Sequence, residues 1–149
     1  MKTPRIILFK AKREDNGKWI EGSYVHQKDN YGDKVDWHYI IEGTNTLDYD
    51  IDEPIRIDPT TLSQFTGMYD KNGKRIFEND IVKTQHGRLC VVKWFSGNSY
   101  CGWDLDPINT SDNLELEPPS EYFLWCKEDN EVVGNVFENH EFIKEALNE

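Results

Sequence analysis

Three cysteines, four histidines and 28 carboxylates are the side chains of this 149-residue chain that could do chemistry. Zinc is usually held by Cys and His in pairs about two to four residues apart, and Cys90, Cys101 and Cys126 form no such pair. His86 and Cys90 share a face if a strand begins that early, the juxtaposition a Cys–His nucleophile needs. A buried cysteine acting as a small hydrophobe is the commoner role. Asp104, Asp106, Asp112 and Glu115 fall at positions 1, 3, 9 and 12 of a calcium-loop window, but Ile108 and Asn109 stand where an oxygen ligand and a glycine are required. Asp48, Asp50 and Asp52 would crowd one strand face, which is unfavourable unless that face is wet or holds a cation. With Glu53 and Asp58 nearby, a solvated edge guarded by like charge is the plainer reading. No spacing singles out a carboxylate pair for hydrolysis. The sequence has no glycine-rich phosphate loop, dinucleotide fingerprint or nucleophile elbow. These residues nominate no catalytic side chain, no cofactor and no metal ligand.

Charge narrows the partners. The net is −11, unevenly spread. Residues 1–30 carry seven basic and four acidic side chains, a net of +3, whereas residues 101–149 carry two against thirteen, a net of −11. Nucleic-acid affinity comes largely from phosphate neutralisation by Lys and Arg, so the last third would repel a duplex. Only Arg5, Lys10, Lys12, Arg13 and Lys18 could attract one. A basic end and an acidic end can also attract one another between subunits, although a simple solubility role explains the same gradient. No apolar run approaches the ~18 residues that cross a bilayer. The opening residues lack a secretory cleavage pattern, and an odd, irregular cysteine set fits a reducing cytoplasm.

The elements that would position these residues are mostly strands. Residues 5–11 and 18–25 read as a hairpin around Asn16-Gly17, a type I′ turn with positive φ at both residues. Residues 26–34 read as a polar hairpin tip. Residues 35–41 alternate, with Val35, Trp37, Tyr39 and Ile41 on one face and Asp36, His38 and Ile40 on the other. Asp70-Lys-Asn-Gly73 has its glycine too early for a calcium loop and reads as a tight turn, with Asp70 accepting a backbone N–H and Gly73 left-handed. Residues 81–84, 88–95 and 99–105 form a meander, the usual core of a small barrel. Residues 106–120, with Pro118-Pro119, read as an excursion. Residues 121–126 and 131–137 read as a closing hairpin. Asn139 is a candidate N-cap, and Phe142, Ile143, Ala146 and Leu147 make one helical stripe. The aromatic set Trp19, Trp37, Tyr39, Trp94, Tyr100, Trp103 and Trp125 could stack bases or grip a partner, but at strand spacing it is more often packing.

Three segments carry a family pattern. Gln64-Phe-Thr-Gly67, Asp70-Lys-Asn-Gly73 and Ile76-Phe-Glu-Asn-Asp-Ile-Val82 resemble the central signature of the YopX family of phage and prophage proteins. Glu131-Val-Val-Gly-Asn-Val-Phe-Glu-Asn139 resembles its second signature, and Phe9-Lys-Ala11 with Gly17–Gly22 its opening. The matches keep the family's order. Lys12 departs where an aromatic is frequent, and His140 where a proline is usual. The resemblance implies a mainly β protein with an SH3-like barrel or roll, encoded by a phage or prophage and oligomeric. It implies no catalytic residue. Its signature positions, read as structural, are Gln64, Thr66, Gly67, Asp70, Asn72, Gly73, Phe77, Glu78, Asp80, Gly134 and Asn135.

The expected architecture is an N-terminal β region over 1–61, packed on or exchanged with an SH3-like barrel and C-terminal helix over 62–149. The expected function is a non-enzymatic interaction protein of the host cytoplasm, self-associating and open to a host protein partner. Trp37, Tyr39, Arg13 and Lys18 are its candidate contacts. Nucleic acid and membrane are disfavoured. An acidic nucleic-acid mimic that occupies a basic host protein is the alternative; a metal-dependent enzyme and a nucleic-acid-binding module are further ones.

Overall fold

A computed structural model describes residues 4–28, 36–43, 53–85, 87–108 and 130–147. It is mainly β, with antiparallel strands and one described α-helix. No closed barrel is found among the described residues. The expected strand at 121–126, the excursion after Ile108, the acids at 48–52, His86 and Cys126 lie outside them. No described helix is long and apolar enough to cross a membrane. The chain divides into two compact units, residues 1–65 and 66–149.

In the first unit the strands are β1 (Phe9–Lys12), β2 (Trp19–Lys28), β3 (Asp36–Ile41), β4 (Ile55–Arg56) and the start of β5 (Ser63–Tyr69), hydrogen-bonded in the order β4-β3-β2-β1-β5. β1 is shorter than expected, because the apolar run begins with Ile6 and Ile7, which are exposed. The β1–β2 turn also differs from a type I′ turn. Arg13 and Lys18 close a four-residue loop through Arg13 N–H to the Lys18 carbonyl at 2.9 Å, and Gly17 N–H reaches the Arg13 carbonyl at 3.0 Å. Gly17 has φ +69°, whereas Asn16 is not left-handed, so a single residue supplies the reversal. Ala11, Ile20, Ile40 and Ile57 form the core, with Phe9, Tyr24, Ile55 and Leu62 against it. Gly22 is fixed by that packing, since a Cβ there would stand 2.1 Å from the Ile41 carbonyl oxygen.

The second unit holds the rest of β5, β6 (Arg75–Phe77), β7 (Asp80–Lys83), β8 (Leu89–Ser96), β9 (Cys101–Pro107), β10 (Glu131–Asn135) and α1 (His140–Leu147). β7, β8 and β9 form the expected meander, and β10 adds to β7, giving the order β10-β7-β8-β9. One core joins Ile76, Val82, Cys90, Val92 and Leu105, with Met68, Trp103 and Val132 against it. Another joins Ile81, Val91 and Ile108, on which Leu89, Val133, Val136 and Phe142 pack. Phe142 is the apolar anchor that gives this short helix the tertiary support it needs. Asn139 precedes α1, but its side-chain oxygen accepts from Asn135 N–H at 3.1 Å, tying the loop to the end of β10.

Candidate functional site

Strand alternation and register build a polar constellation in the first unit. β2 and β3 pair antiparallel, with Tyr24 opposite Ile40, His26 opposite His38 and Lys28 opposite Asp36. Opposite residues share a face and successive even positions keep it. One face therefore runs from Ile40 in the core through Tyr24 to His26 and His38, and ends at Lys28 and Asp36. The two imidazoles stack with centroids 4.4 Å apart. His26 Nε2 hydrogen-bonds Asp36 Oδ1, and His38 Nε2 lies 3.6 Å from Asp36 Oδ2. On its other side, His38 Nδ1 meets the Tyr24 hydroxyl at 2.5 Å. The His26 hydrogen bond lowers the Asp36 pKa against a smaller opposing effect of desolvation, and the charges of His26, His38 and Lys28 add to the lowering. Tyr24 is pushed up by burial and by the Asp36 charge, which keeps its phenol neutral.

Beside this cluster is a cleft of about 430 Å³ lined by Lys12, Arg13, Asp36, His38, Arg56 and Asp58, among others. Its guanidinium groups are engaged. Arg13 grips Asp15 through Nε at 2.9 Å and an Nη at 2.7 Å. Arg56 pairs with Glu14 at 2.9 Å and lies 3.7 Å over the Trp37 ring. The candidate contact residues fall in two pairs, Trp37 with Tyr39 on one strand face and Arg13 with Lys18 across the β1–β2 turn. Trp37 and Tyr39 are half-buried on the opposite face of β3, Arg13 is held within its turn, and Lys18 is exposed beyond it.

In the second unit the signature residues lock turns. Asp70, 5 % exposed, accepts from Asn72 N–H at 2.9 Å and Lys74 N–H at 2.8 Å through Oδ1, and from Val132 N–H at 3.0 Å through Oδ2. Burial pushes its carboxyl up, but the N–H groups of Val132, Lys74 and Asn72, with the Lys74 charge, outweigh it and hold the pKa below the ordinary value. Gly73 has φ +79°, the left-handed position the turn requires. Thr66 donates to the Ile76 carbonyl and accepts from Met68 N–H around Gly67. Phe77 N–H donates to the buried Asp80 carboxylate at 2.8 Å across the Glu78-Asn79 turn. Asn135 accepts from Phe137 and Glu138, and a Cβ on Gly134 would meet Asn139 at 2.3 Å. The remaining signature residue, Gln64, lies in the first unit, opposite Phe9 in register.

The β8–β9 ribbon has its own graded face. Cys90, Val92, Trp94 and Ser96 oppose Pro107, Leu105, Trp103 and Cys101. Its inner rungs belong to the core, while Trp94 is 52 % exposed and packs edge-on against Trp103 at 5.0 Å. On the tip, Phe95 and Tyr100 are 40 % and 45 % exposed with centroids 4.9 Å apart. Cys90 is enclosed: burial pushes its thiol up to about 12, with Arg88 opposing and Asp106 and Asp104 reinforcing. Asp106 of the rejected calcium window pairs with Lys93 at 2.8 Å.

Sequence reasoning missed His26. Residues 26–28 continue β2 instead of opening a loop, which is what sets His26 opposite His38. The alternation Ile20, Gly22, Tyr24, His26 carried that information, but the polar run after Val25 masked it.

The model of the family described as YopX protein matches residues 8–144. The solved structure "Crystal structure of protein EF1440 from Enterococcus faecalis" is similar at 22 % identity, over 94 % of this chain and 99 % of that one, with a TM-score of 0.44. No curated protein matches.

Proposed function

The chain belongs to the YopX family, and from that premise we propose that it is a non-enzymatic interaction module that self-associates through the aromatic end of its β8–β9 ribbon. The observation that carries this is the apolar stripe that leaves the core at Val92 and Leu105 and continues, half-covered, through Trp103 to exposed Trp94. Large aromatics left in water at the end of a core stripe favour a surface that covers them. A second copy is the partner the charge favours, because the basic first thirty residues complement the acidic last third. The SH3-like roll for residues 62–149 and a phage origin, acting in the host cytoplasm, belong to the same reading. The meander and the family likeness support them.

Sedimentation from micromolar to near-millimolar protein tests the proposal. The wild type is expected to gain mass with concentration. Trp94→Ser should weaken association about 30-fold, the equivalent of ~2 kcal/mol for an interface anchor, with an unchanged circular dichroism spectrum. A wild type that stays monomeric throughout, or a variant that associates equally well, overturns it.

A further inference from the structure

We propose that His26, Asp36 and His38 form a binding site for a divalent transition ion of the zinc class. Three different side chains of one sheet face converge, and their ligating atoms all lie within 4.8 Å of one another. A tetrahedral ion with bonds of about 2.0–2.2 Å holds its ligands about 3.4 Å apart. The imidazoles now stack nearly parallel, so the exposed His26 ring turns about its side-chain bonds to aim Nε2 at an ion bound by His38, and Asp36, already against both Nε2 atoms, swings outward to admit it. The backbone register, not the loop beyond it, sets the spacing: His26 and His38 are direct cross-strand partners, and Asp36 precedes His38 by two on the same face.

The donor chemistry selects the ion. Two imidazole nitrogens and one carboxylate oxygen suit zinc, cobalt, nickel or copper, whereas calcium and magnesium require more oxygen ligands. Tyr24 supplies the orienting contact that metal-binding histidines need. When His38 Nδ1–H donates to the Tyr24 oxygen, Nε2 keeps its lone pair and is the atom that faces Asp36. Tyr24 is in turn held by Phe9, at 5.6 Å between centroids. The ring therefore stands on the core while the carboxylate stands in water, leaving the remaining coordination positions on the solvent side.

Calorimetric titration of the full chain with zinc chloride, beside imidazole NMR, tests the site. One saturable zinc equivalent is expected, with no heat from magnesium or calcium. His26→Ala should weaken binding at least tenfold and Tyr24→Phe about tenfold, with His140→Ala unaffected. In the wild type, zinc should shift the ring resonances of His26 and His38 and leave those of His140 in place. The wild-type spectra decide the matter even where a variant folds poorly. No saturable zinc binding, binding undiminished in His26→Ala, or ring resonances of His26 and His38 that do not move would overturn the site.

Discussion

Each unit has a two-stranded ribbon whose core face outruns its cover, and the two ribbons end in opposite chemistry. On β2–β3 the face passes from Ile40 and Tyr24 to a histidine pair and then to Lys28 opposite Asp36. On β8–β9 it passes from Val92 and Leu105 to a tryptophan pair and then to Ser96 opposite Cys101. The geometry is shared, since period-two alternation keeps every second side chain on one face wherever the core stops. What differs is the rung just past the core. Imidazoles can trade the Asp36 contact for a cation, whereas indoles can only be covered.

The largest expected effect breaks the first ribbon. Gly22→Ala forces a Cβ against the Ile41 carbonyl, and overpacking against backbone should cost about 3 kcal/mol. Urea denaturation should show that loss, and the His26 and His38 ring resonances should converge on unfolded values. A midpoint like that of the wild type would mean that β2 and β3 can separate without consequence.

A smaller effect contrasts two of the depressed carboxylates. Asp36 gains from an exposed side chain, Asp70 from backbone N–H groups in a buried turn. Because the Asp70 pKa is lowered on folding, the unfolded chain binds more protons between the folded value and the ordinary 3.8. Its contribution is thus complete above that ordinary value and is lost as pH falls through the folded one. Asp70→Asn keeps an oxygen for Asn72 and Lys74 but loses the acceptor for Val132, and should cost ~1–2 kcal/mol at neutral pH. Urea midpoints measured from about pH 5 to about pH 2 should fall less steeply in this variant than in the wild type, and parallel profiles would contradict the assignment. The exposed Asp36→Asn should leave the neutral-pH midpoint in place.

The smallest perturbation is a label. Cys90 and Cys101 lie on the same face of the β8–β9 ribbon, one buried and one exposed. Peptide mapping after brief alkylation of the folded protein should find Cys101 modified and Cys90 untouched, because the Cys90 thiol is both enclosed and kept protonated. Equal labelling would place the end of the core elsewhere.

Local chemistry was legible in the sequence. Asp70 and Gly73 mark their turn by residue type, and the meander follows from alternation punctuated by glycines. Non-local facts were not. Nothing near Asp70 indicates that its second oxygen takes the N–H of Val132, and nothing near Asn16 shows that Gly17 alone reverses the chain. The histidine pair was hidden for a related reason: hydrophilic residues at the end of β2 resemble a loop, and only the partner strand reveals them as paired. Arg13 and Trp37 stand out by residue type, but the partners they meet within the chain, Asp15 and Arg56, follow from the turn and the strand pairing.

The long reach of Asp70 also bears on the order in which the molecule assembles itself. The β1–β2, β1–β5, β2–β3 and β3–β4 pairings lie within residues 9–64, so those partners leave the ribosome together. Asp70 emerges soon after, yet Val132 follows 62 residues later, with β10 itself. Until then the nascent chain carries a turn whose carboxylate has only its nearby donors and a β7 without its last neighbour. Translation thus supplies the second unit's latch late.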